Sequence, residues 1–195
     1  MARLLNNSCP MTTAPKILLL LVSLSLTACA PVSQGGSQRP TWELPSYSGQ
    51  EIGLFDDSLA EAIFGLSIGI TEPDEDLLLA QRVALADSVM PVRLMTLNED
   101  ARGGVVSYQL VLNQQGDALL GVPLAGPLSV TLSHDNPSVT FLRAASSRLV
   151  GTTMILLMRH YNQDGVPVVH FRAEADSQAV RKAIERAKLF RELGS

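Results

Sequence analysis

The fold is decided by residues 149–175, which read LVGTTMILLMRHYNQDGVPVVHFRAEA. Two apolar runs flank Asn162-Gln163-Asp164-Gly165, and its Asp-Gly pair suits the central positions of a tight hairpin turn. The pattern predicts two antiparallel strands, Leu149 to Tyr161 and Val166 to Ala175. Because Pro167 has no N–H, the second strand is expected at a sheet edge, or with that position facing outward.

The two-residue period of apolar side chains also occurs before this hairpin. Turn residues divide that region, most clearly Gly103-Gly104 and residues 133–137. The pattern predicts five more strands: Val92 to Leu97, Val105 to Leu112, Ala118 to Val122, Leu128 to Leu132 and Val139 to Leu142.

Helical patterns stand before and after the strands. Asp56-Asp57-Ser58 can cap a short helix that ends at Gly65, and a longer helix is expected from Pro73 to Pro91. Asp176 or Ser177 can cap a final helix with an apolar stripe of Val180, Ala183, Ile184, Ala187 and Phe190. This order predicts an α+β fold: N-terminal helices, then a curled antiparallel sheet of about six or seven strands, then a C-terminal helix.

The N-terminal region has the layout of a secretory signal peptide. Lys16 precedes the apolar run Ile17 to Leu26, which is far shorter than the ~20 residues that a helix needs to cross a bilayer. Small residues follow, and then a cysteine. Leu26-Thr27-Ala28-Cys29 resembles the lipobox of bacterial lipoproteins at all four positions.

This resemblance implies cleavage between Ala28 and Cys29 and attachment of a diacylglycerol to the Cys29 thiol, with acylation of the new amino group as a further step. Two or three acyl chains together hold a protein on a membrane stably. The expected organisation is a removed signal peptide (1–28), a lipidated flexible tether (29–50) and a single globular domain (51–195). Ala30 favours the outer membrane, facing the periplasm, over the inner membrane. Met11 is a second candidate for the true start.

Composition limits the function classes. The chain is 46% hydrophobic and 17% charged, as globular proteins are, and its net charge of −4 disfavours nucleic acid as a partner. Charge is uneven: nine acids and no Lys or Arg lie between Pro40 and Gln81, whereas residues 181–191 are rich in Lys and Arg. The two segments either face one another, or are solvated faces, or are patches for different partners.

Two motifs suggest hydrolytic chemistry and are better explained otherwise. Gly65-Leu66-Ser67-Ile68-Gly69 matches the nucleophile elbow, but that motif needs a strand before the serine and a helix after it. Here the preceding residues have a helical pattern, so a Gly-rich connection between helices is the favoured interpretation. His134-Asp135 is an adjacent pair within a turn, where ordinary turn chemistry explains both residues.

His160 and His170 flank the hairpin turn and raise the question of a metal site. If Asp164 and Gly165 are the central turn residues, His160 faces Val169 and His170 faces Arg159. The two imidazoles then project from opposite faces and cannot share a metal ion. A one-residue bulge at Gly165 would bring them to one face, but no third ligand is evident even then. No catalytic residue, metal ligand or cofactor site is therefore predicted, and the chain is not expected to be an enzyme.

The expected function is that of a lipid-anchored lipoprotein of the outer membrane and periplasm, a non-enzymatic binding or scaffold module of the envelope. Its expected partners are the membrane, through acyl chains on Cys29, and another envelope protein. The edge strand from Val166 to Phe171 and the basic last helix are the surfaces of first interest. The alternative is a small apolar ligand or lipid held inside the curled sheet, which requires an apolar interior pocket of roughly 300 Å³ or more.

Overall fold

The computed structural model describes residues 39–68 and 77–193, apart from the side chains of Phe64 and residues 66–68. The expected signal peptide, Cys29 and Pro73 lie outside the described residues.

One open sheet of five antiparallel strands organises the described part of the chain, in the order β3-β2-β1-β4-β5. The hairpin predicted at Asp164-Gly165 is confirmed: both residues have positive φ, and Gln163 pairs with Val166 across the turn. β5 lies at one edge, as Pro167 indicates. The strands are β1 (Ser88–Arg102), β2 (Val105–Gln114), β3 (Leu128–Leu132), β4 (Thr153–Gln163) and β5 (Val166–Ala175).

The described helices cover both faces of this sheet, and the last of them is C-terminal, so the α+β class is confirmed. They are a 3-10 turn (Thr41–Glu43), α1 (Gln50–Leu54), α2 (Ala60–Ile68), α3 (Leu77–Leu85), α4 (Ser138–Leu149) and α5 (Gln178–Leu193). Among them, none combines the length and apolar character that crossing a bilayer requires.

The expected count of six or seven strands is wrong for the part of the chain that the structure describes, which holds five. Residues 139–142 lie in α4, where Val139, Leu142 and Leu149 are buried at helical spacing. The side chain of Asn136 accepts the N–H of Ser138 at 2.9 Å and so starts this helix. Short apolar runs fit strands and helices equally well, and here the cap decided between them.

The expected strand from Ala118 to Val122 is reduced to one bridge between Leu120 and Val89. The N–H groups of Leu119 and Leu120 both donate to the Val89 carbonyl, a pattern that a regular ladder does not have. Gly121, with φ of 74°, then carries the backbone past Asp87 at close range. This segment therefore packs against β1 as a turn.

Proline 91 does not end a helix as expected, because α3 already ends at Leu85 and β1 begins at Ser88. The Pro91 carbonyl accepts the N–H of Gln115 at 2.9 Å, on the side of β1 that faces β2. Pairing between β1 and β2 begins only at Val92 and Gln114. The absent N–H of Pro91 thus lies at the end of the pairing between β1 and β2, where a missing donor disrupts the ladder least.

Two apolar cores lie on opposite faces of the sheet. On one face α2 and α4 pack on the alternating side chains of the central strands, including Met90, Leu110 and Leu156. On the other face α1, α3 and α5 pack on Val89 and Leu157 among others. Residues 154–158 of β4 are buried on both faces, which explains why their sequence is continuously apolar and does not alternate.

We predict that Gly121→Ala destabilises the fold by about 2–4 kcal/mol, because a Cβ there meets the Asp87 carbonyl oxygen at 1.9 Å and the backbone has positive φ. Gly116→Ala is the matched control, since Gly116 has a similar φ of 70° but nothing within 4 Å of its Cβ position. It should cost only about 1 kcal/mol. Denaturant unfolding measures both, and equal losses would contradict the close contact at Asp87.

Candidate functional site

The residues singled out from the sequence do not converge on one centre in the described part of the chain. Ala28 and Cys29 lie outside it. Ser67 lies within α2, and its side chain is not among those described. Because the helix runs through both Gly65 and Ser67, the backbone lacks the strand-to-helix turn of a nucleophile elbow. Gly65 instead lets α2 approach β5, since a Cβ there would lie 2.3 Å from the Ala175 side chain.

His134 lies in an exposed turn, where Ser133 hydrogen-bonds the neighbouring Asp135 carboxylate. That hydrogen bond is the main reason why the pKa of Asp135 is lowered. His134 also borders an open cleft of about 260 Å³ between the β1–β2 turn and α4, together with Val106, Val139 and Arg143. The cleft is open to solvent at the edge of one core, to which Val139 belongs, so it does not match the enclosed interior apolar pocket that the alternative function requires.

The two hairpin histidines lie on opposite faces, as the register predicted: His160 pairs with Val169, and His170 pairs with Arg159. Each imidazole has its own carboxylate, at 3.2 Å from Asp87 for His160 and at 2.8 Å from Asp57 for His170. Within residues 39–68 and 77–193, no three or more His, Cys, Asp or Glu side chains are arranged to hold a metal ion.

The most elaborate polar arrangement involves residues 39–58, which we call the strap. The strap crosses one face of the β4–β5 hairpin and pairs with both of its outer edges. On the β4 side, the N–H of Asn162 donates to the Pro45 carbonyl at 2.8 Å. On the β5 side, the N–H of Ala173 donates to the Ser58 carbonyl at 3.0 Å, and the N–H of Asp57 donates to the carbonyl of Phe171 at 2.9 Å. Much of this segment was expected to belong to the flexible tether.

Two strap residues, Tyr47 and Asp57, contact His170 of the hairpin from two directions. The Tyr47 ring stacks on the imidazole at a centroid distance of 3.6 Å, with an angle of 10° between the planes. Asp57 uses one carboxylate oxygen for the imidazole and the other for the N–H of Phe171 at 2.9 Å. Asp57 adopts φ of 55° to do so, a conformation that Asp tolerates better than most residues.

Arg159 and Tyr161 of β4 complete this cluster. The guanidinium of Arg159 lies 3.2 Å from the Glu51 carboxylate and 5.4 Å from the centre of the Tyr161 ring. Tyr161 is fully buried and lies against Tyr47 and Phe55 of the strap. The strap thus closes over the cluster with two acids and two aromatic rings.

The acids of the strap and of α2 pair with cations of the hairpin. Arg172 binds Asp56 and Glu61, while Arg159 binds Glu51 and His170 binds Asp57. The basic residues of α5 have other described contacts: Arg181 binds Asp176, and Arg191 donates to carbonyls at the end of α3. Among the described residues, the charge complementarity of the acidic segment is therefore with the hairpin.

Several buried polar atoms in this region find no hydrogen-bond partner in the described chain. They include three nitrogens, Nη1 of Arg159, Nε2 of His170 and Nε of Arg172, and two carboxylate oxygens, Oε2 of Glu51 and Oε2 of Glu61. The Tyr161 hydroxyl lies close to Glu51 but falls short of hydrogen-bond geometry. Each such group costs about 1–3 kcal/mol when it is buried without a partner. Donors and acceptors are thus both left unpaired among the described residues of this region.

Burial dominates the titration of this cluster. It raises the pKa of Tyr47 to about 12, with the negative charges of Asp57 and Asp56 adding to the effect. The pKa of Tyr161 is raised further, mainly by burial and then by Glu51. Burial also raises the pKa of the Asp57 carboxyl, although the hydrogen bonds from His170 and Phe171 oppose that shift. Both tyrosines are therefore neutral while the strap is closed.

A second apolar face exists on α5. The Ser177 hydroxyl caps the helix by accepting the N–H of Val180, and the inner face buries Val180, Ala183, Ile184 and Ala187. Phe190, which was expected on that face, is 65% exposed, so this expectation was wrong. The exposed fractions of Leu189 and Leu193 are 59% and 83%. At about 100° per residue, these three side chains share a stripe with Lys182 and Arg186, roughly 120° around the helix from the buried face.

The free edge of β5 offers less for binding than expected. Along β5, every second residue directs its backbone N–H and C=O positions away from β4. These residues include Pro167, Val169, Phe171 and Ala173. The strap already occupies Phe171 and Ala173, and Pro167 has no N–H to offer. Between residues 166 and 170, only Val169 presents an outward N–H, which is too little for an added strand.

Comparison of the chain with protein-family models, with curated proteins and with solved structures finds no match.

The sequence had drawn attention to His170 but not to its partners in the strap. Tyr47 stood in the expected tether, and Asp57 was interpreted as a helix cap. The available signal was the long acidic segment without Lys or Arg, which needed cations elsewhere in the chain. The sequence of β5 indicates where those cations could lie, since His170 and Arg172 are two residues apart and therefore on the same face of a strand.

We predict that raising the pH from 10 to 12 opens the strap. A tyrosine ionises near pH 10 when exposed, whereas the pKa of Tyr47 under the strap is about 12. The raised pKa means that Tyr47 stabilises the closed strap fully below pH 10, and this contribution is lost as the pH rises through 12. Phenolate absorbance and hydrogen exchange at Asn162 and Ala173 should change together. Tyr47→Phe should flatten this pH dependence, and an unchanged profile would contradict the assignment to Tyr47.

The buried ion pair between Arg82 of α3 and Glu174 of β5, at 2.9 Å, gives a second prediction. Both side chains are nearly inaccessible to solvent, so Glu174→Gln leaves a buried guanidinium uncompensated and should cost about 3–5 kcal/mol. Glu185→Gln is the matched control, because Glu185 pairs with Lys188 at the surface and should cost less than about 1 kcal/mol. Comparable losses in urea unfolding would contradict a buried pair.

Proposed function

We propose that this chain is a lipid-anchored lipoprotein of the bacterial envelope that acts as a non-enzymatic binding or scaffold module. Acyl chains on Cys29 would hold it on the membrane, with the domain in the periplasm and the outer membrane as the favoured location. The lipobox resemblance of Leu26-Thr27-Ala28-Cys29 supports the anchor. The Pro-, Gly- and Ser-rich residues that follow support a spacer between lipid and domain.

The observation that carries the binding role is the outer stripe of α5, defined by Lys182, Arg186, Leu189, Phe190 and Leu193. Three large apolar side chains on the last two turns of a helix are 59–83% exposed. The Arg186 guanidinium lies 5.9 Å from the centre of the Phe190 ring, so charge and apolar surface are contiguous. Exposed apolar groups that adjoin one another are typical of docking surfaces.

The chemistry of the stripe indicates a protein partner with an apolar groove and a nearby acidic group. A helix laid into such a groove uses side chains at i, i+3, i+4 and i+7, which is the spacing of residues 186, 189, 190 and 193. A broad anionic lipid surface fits less well. The chain carries a net charge of −4, and Glu185 and Glu192 lie on the neighbouring face of α5.

The alternative, an apolar ligand inside the sheet, has less support. Both faces of β4 are filled by packed side chains, from Met90 and Leu110 on one side to Val83 and Ile184 on the other. The described cleft of about 260 Å³ lies at the surface and is lined in part by His134 and Arg143. The helix surface is therefore the better candidate for binding.

A photo-reactive amino acid tests the docking face in the lipidated chain within intact envelopes. Placed at Leu189 or Leu193, it should give a discrete protein adduct, whereas Glu192, on the neighbouring face, serves as the control position. Phe190→Asp should reduce the adduct at Leu189 at least about tenfold, because a buried charge opposes docking. Adducts of equal yield at Glu192, or adducts with lipid alone, would contradict a protein partner at this face.

The anchor is tested separately by fractionation. Cys29→Ala should move the protein from the membrane fraction to the soluble fraction, because a chain without acyl groups has no stable attachment. Mass spectrometry of the membrane form should show the acyl groups on Cys29. If the Cys29→Ala form stays in the membrane fraction to the same extent, the lipid anchor is refuted.

A further inference from the structure

The strap occupies its place on the hairpin in the way that an added strand occupies a sheet edge. Ser46 pairs with Asn162 on the β4 side, and Ser58 pairs with Arg172 on the β5 side, both in parallel orientation. β1 begins only at Ser88, opposite Met158, so the outer edge of β4 beyond that point is available to the strap. At these two points, on either side of α1, the backbone contacts of the strap with the hairpin are those that an extended segment could make.

Side chains add chemical specificity to these backbone contacts. Along the hairpin, Arg159, His170 and Arg172 form a cationic strip on one face. The strap meets the strip with Glu51, Asp57 and Asp56 in turn, at 3.2 Å for Arg159 and 2.8 Å for His170. An aromatic ring, that of Tyr47, stacks on His170. The segment that the strip accepts is therefore acidic and carries an aromatic residue.

The strap satisfies this strip only in part. Nη1 of Arg159, Nε2 of His170 and Nε of Arg172 are all buried without an acceptor in the described chain. Oε2 of Glu51 and Oε2 of Glu61 are also buried without a partner among the described residues, so the acceptors are present but do not meet these donors. A segment that places its carboxylate or carbonyl oxygens differently could pair them. Tyr161, fully buried beneath the strap, likewise presents a hydroxyl without a hydrogen-bond partner in the described residues.

We propose that the strap is a releasable cover, and that the cationic strip beneath it binds an extended acidic peptide segment of a partner protein in the strap's place. Opening transfers Tyr161, the three cations and the apolar side chains of Leu54 and Phe55 to solvent, while the five strands stay paired. This binding site requires neither the lipid anchor nor the α5 surface, because it involves only the hairpin and residues 45–58 of the strap.

Hydrogen exchange of the full chain tests the release. The amides of Asn162, Phe171 and Ala173 are held by the strap, whereas that of Leu156 lies in the central sheet. The strap-held amides should exchange as a group, at least about tenfold faster than Leu156, because local opening requires less free energy than global unfolding. Equal protection at all four positions would overturn the releasable cover.

A synthetic peptide of residues 45–58, PSYSGQEIGLFDDS, serves as the probe for the strip. It should bind the Tyr47→Ala chain at least about tenfold more tightly than the wild-type chain, because a loosened strap raises the fraction of chains with an open strip. A control peptide in which Glu51, Asp56 and Asp57 are replaced by their amides should bind at least about tenfold more weakly. Equal affinity for both peptides, or no binding to the loosened chain, would overturn the cationic strip as a binding site.

Two further variants guard against a trivial result. If Tyr47→Ala fails to fold, Tyr47→Phe removes only the hydroxyl that donates to the Phe55 carbonyl at 2.7 Å, and a smaller gain in peptide affinity is expected. Tyr108→Phe is the matched control, since its hydroxyl binds Glu99 on the other face of the sheet. It should leave peptide affinity at the wild-type value. A gain equal to that of Tyr47→Phe would show that general loosening, and not strap release, admits the peptide.

Discussion

The double burial of β4 is the constraint on which the rest of this structure depends. Residues 154–158 are apolar without interruption, and in a strand such a run exposes apolar side chains on both faces. Each face must then be covered, so the fold needs two helical layers and not one. α2 and α4 supply the first, and α1, α3 and α5 the second. The positions of the strap, the hairpin and α5 all follow from that requirement.

At the hairpin end of β4, ion pairs replace part of the apolar packing. Beyond Met158 the strand turns polar with Arg159 and His160, and β5 carries His170 and Arg172. Such a surface needs acceptors for its cations, and the helices α1 and α2 bring Glu51 and Glu61 to Arg159 and Arg172. The chain covers this surface in part with its own acidic segment, of which Glu51, Asp56, Asp57 and Glu61 pair with hairpin cations.

The sequence predicted those parts of the fold that local chemistry determines. The Asp164-Gly165 turn gave the hairpin, its register and the opposite orientation of His160 and His170. Residues 128–132 and 166–175 coincide with β3 and β5. The errors came where short apolar runs carry no clear period, at residues 118–122 and 139–142. The partners of His170 could not be predicted, because Asp57 lies 113 positions away and the contact is purely tertiary.

The strap and the outer stripe of α5 differ in how they are tied to the core, and this difference bears on their roles. α5 is fixed by a buried inner face, so its outer stripe is a rigid surface that is already exposed. The strap is fixed by ion pairs, by a few backbone bonds and by the buried side chains of Leu54 and Phe55, and polar atoms beneath it have no partner in the described chain. A rigid apolar face suits constant association with a partner, whereas a cover with unsatisfied donors beneath it suits exchange. A module that carries both can stay bound at one end while the other end changes its occupant.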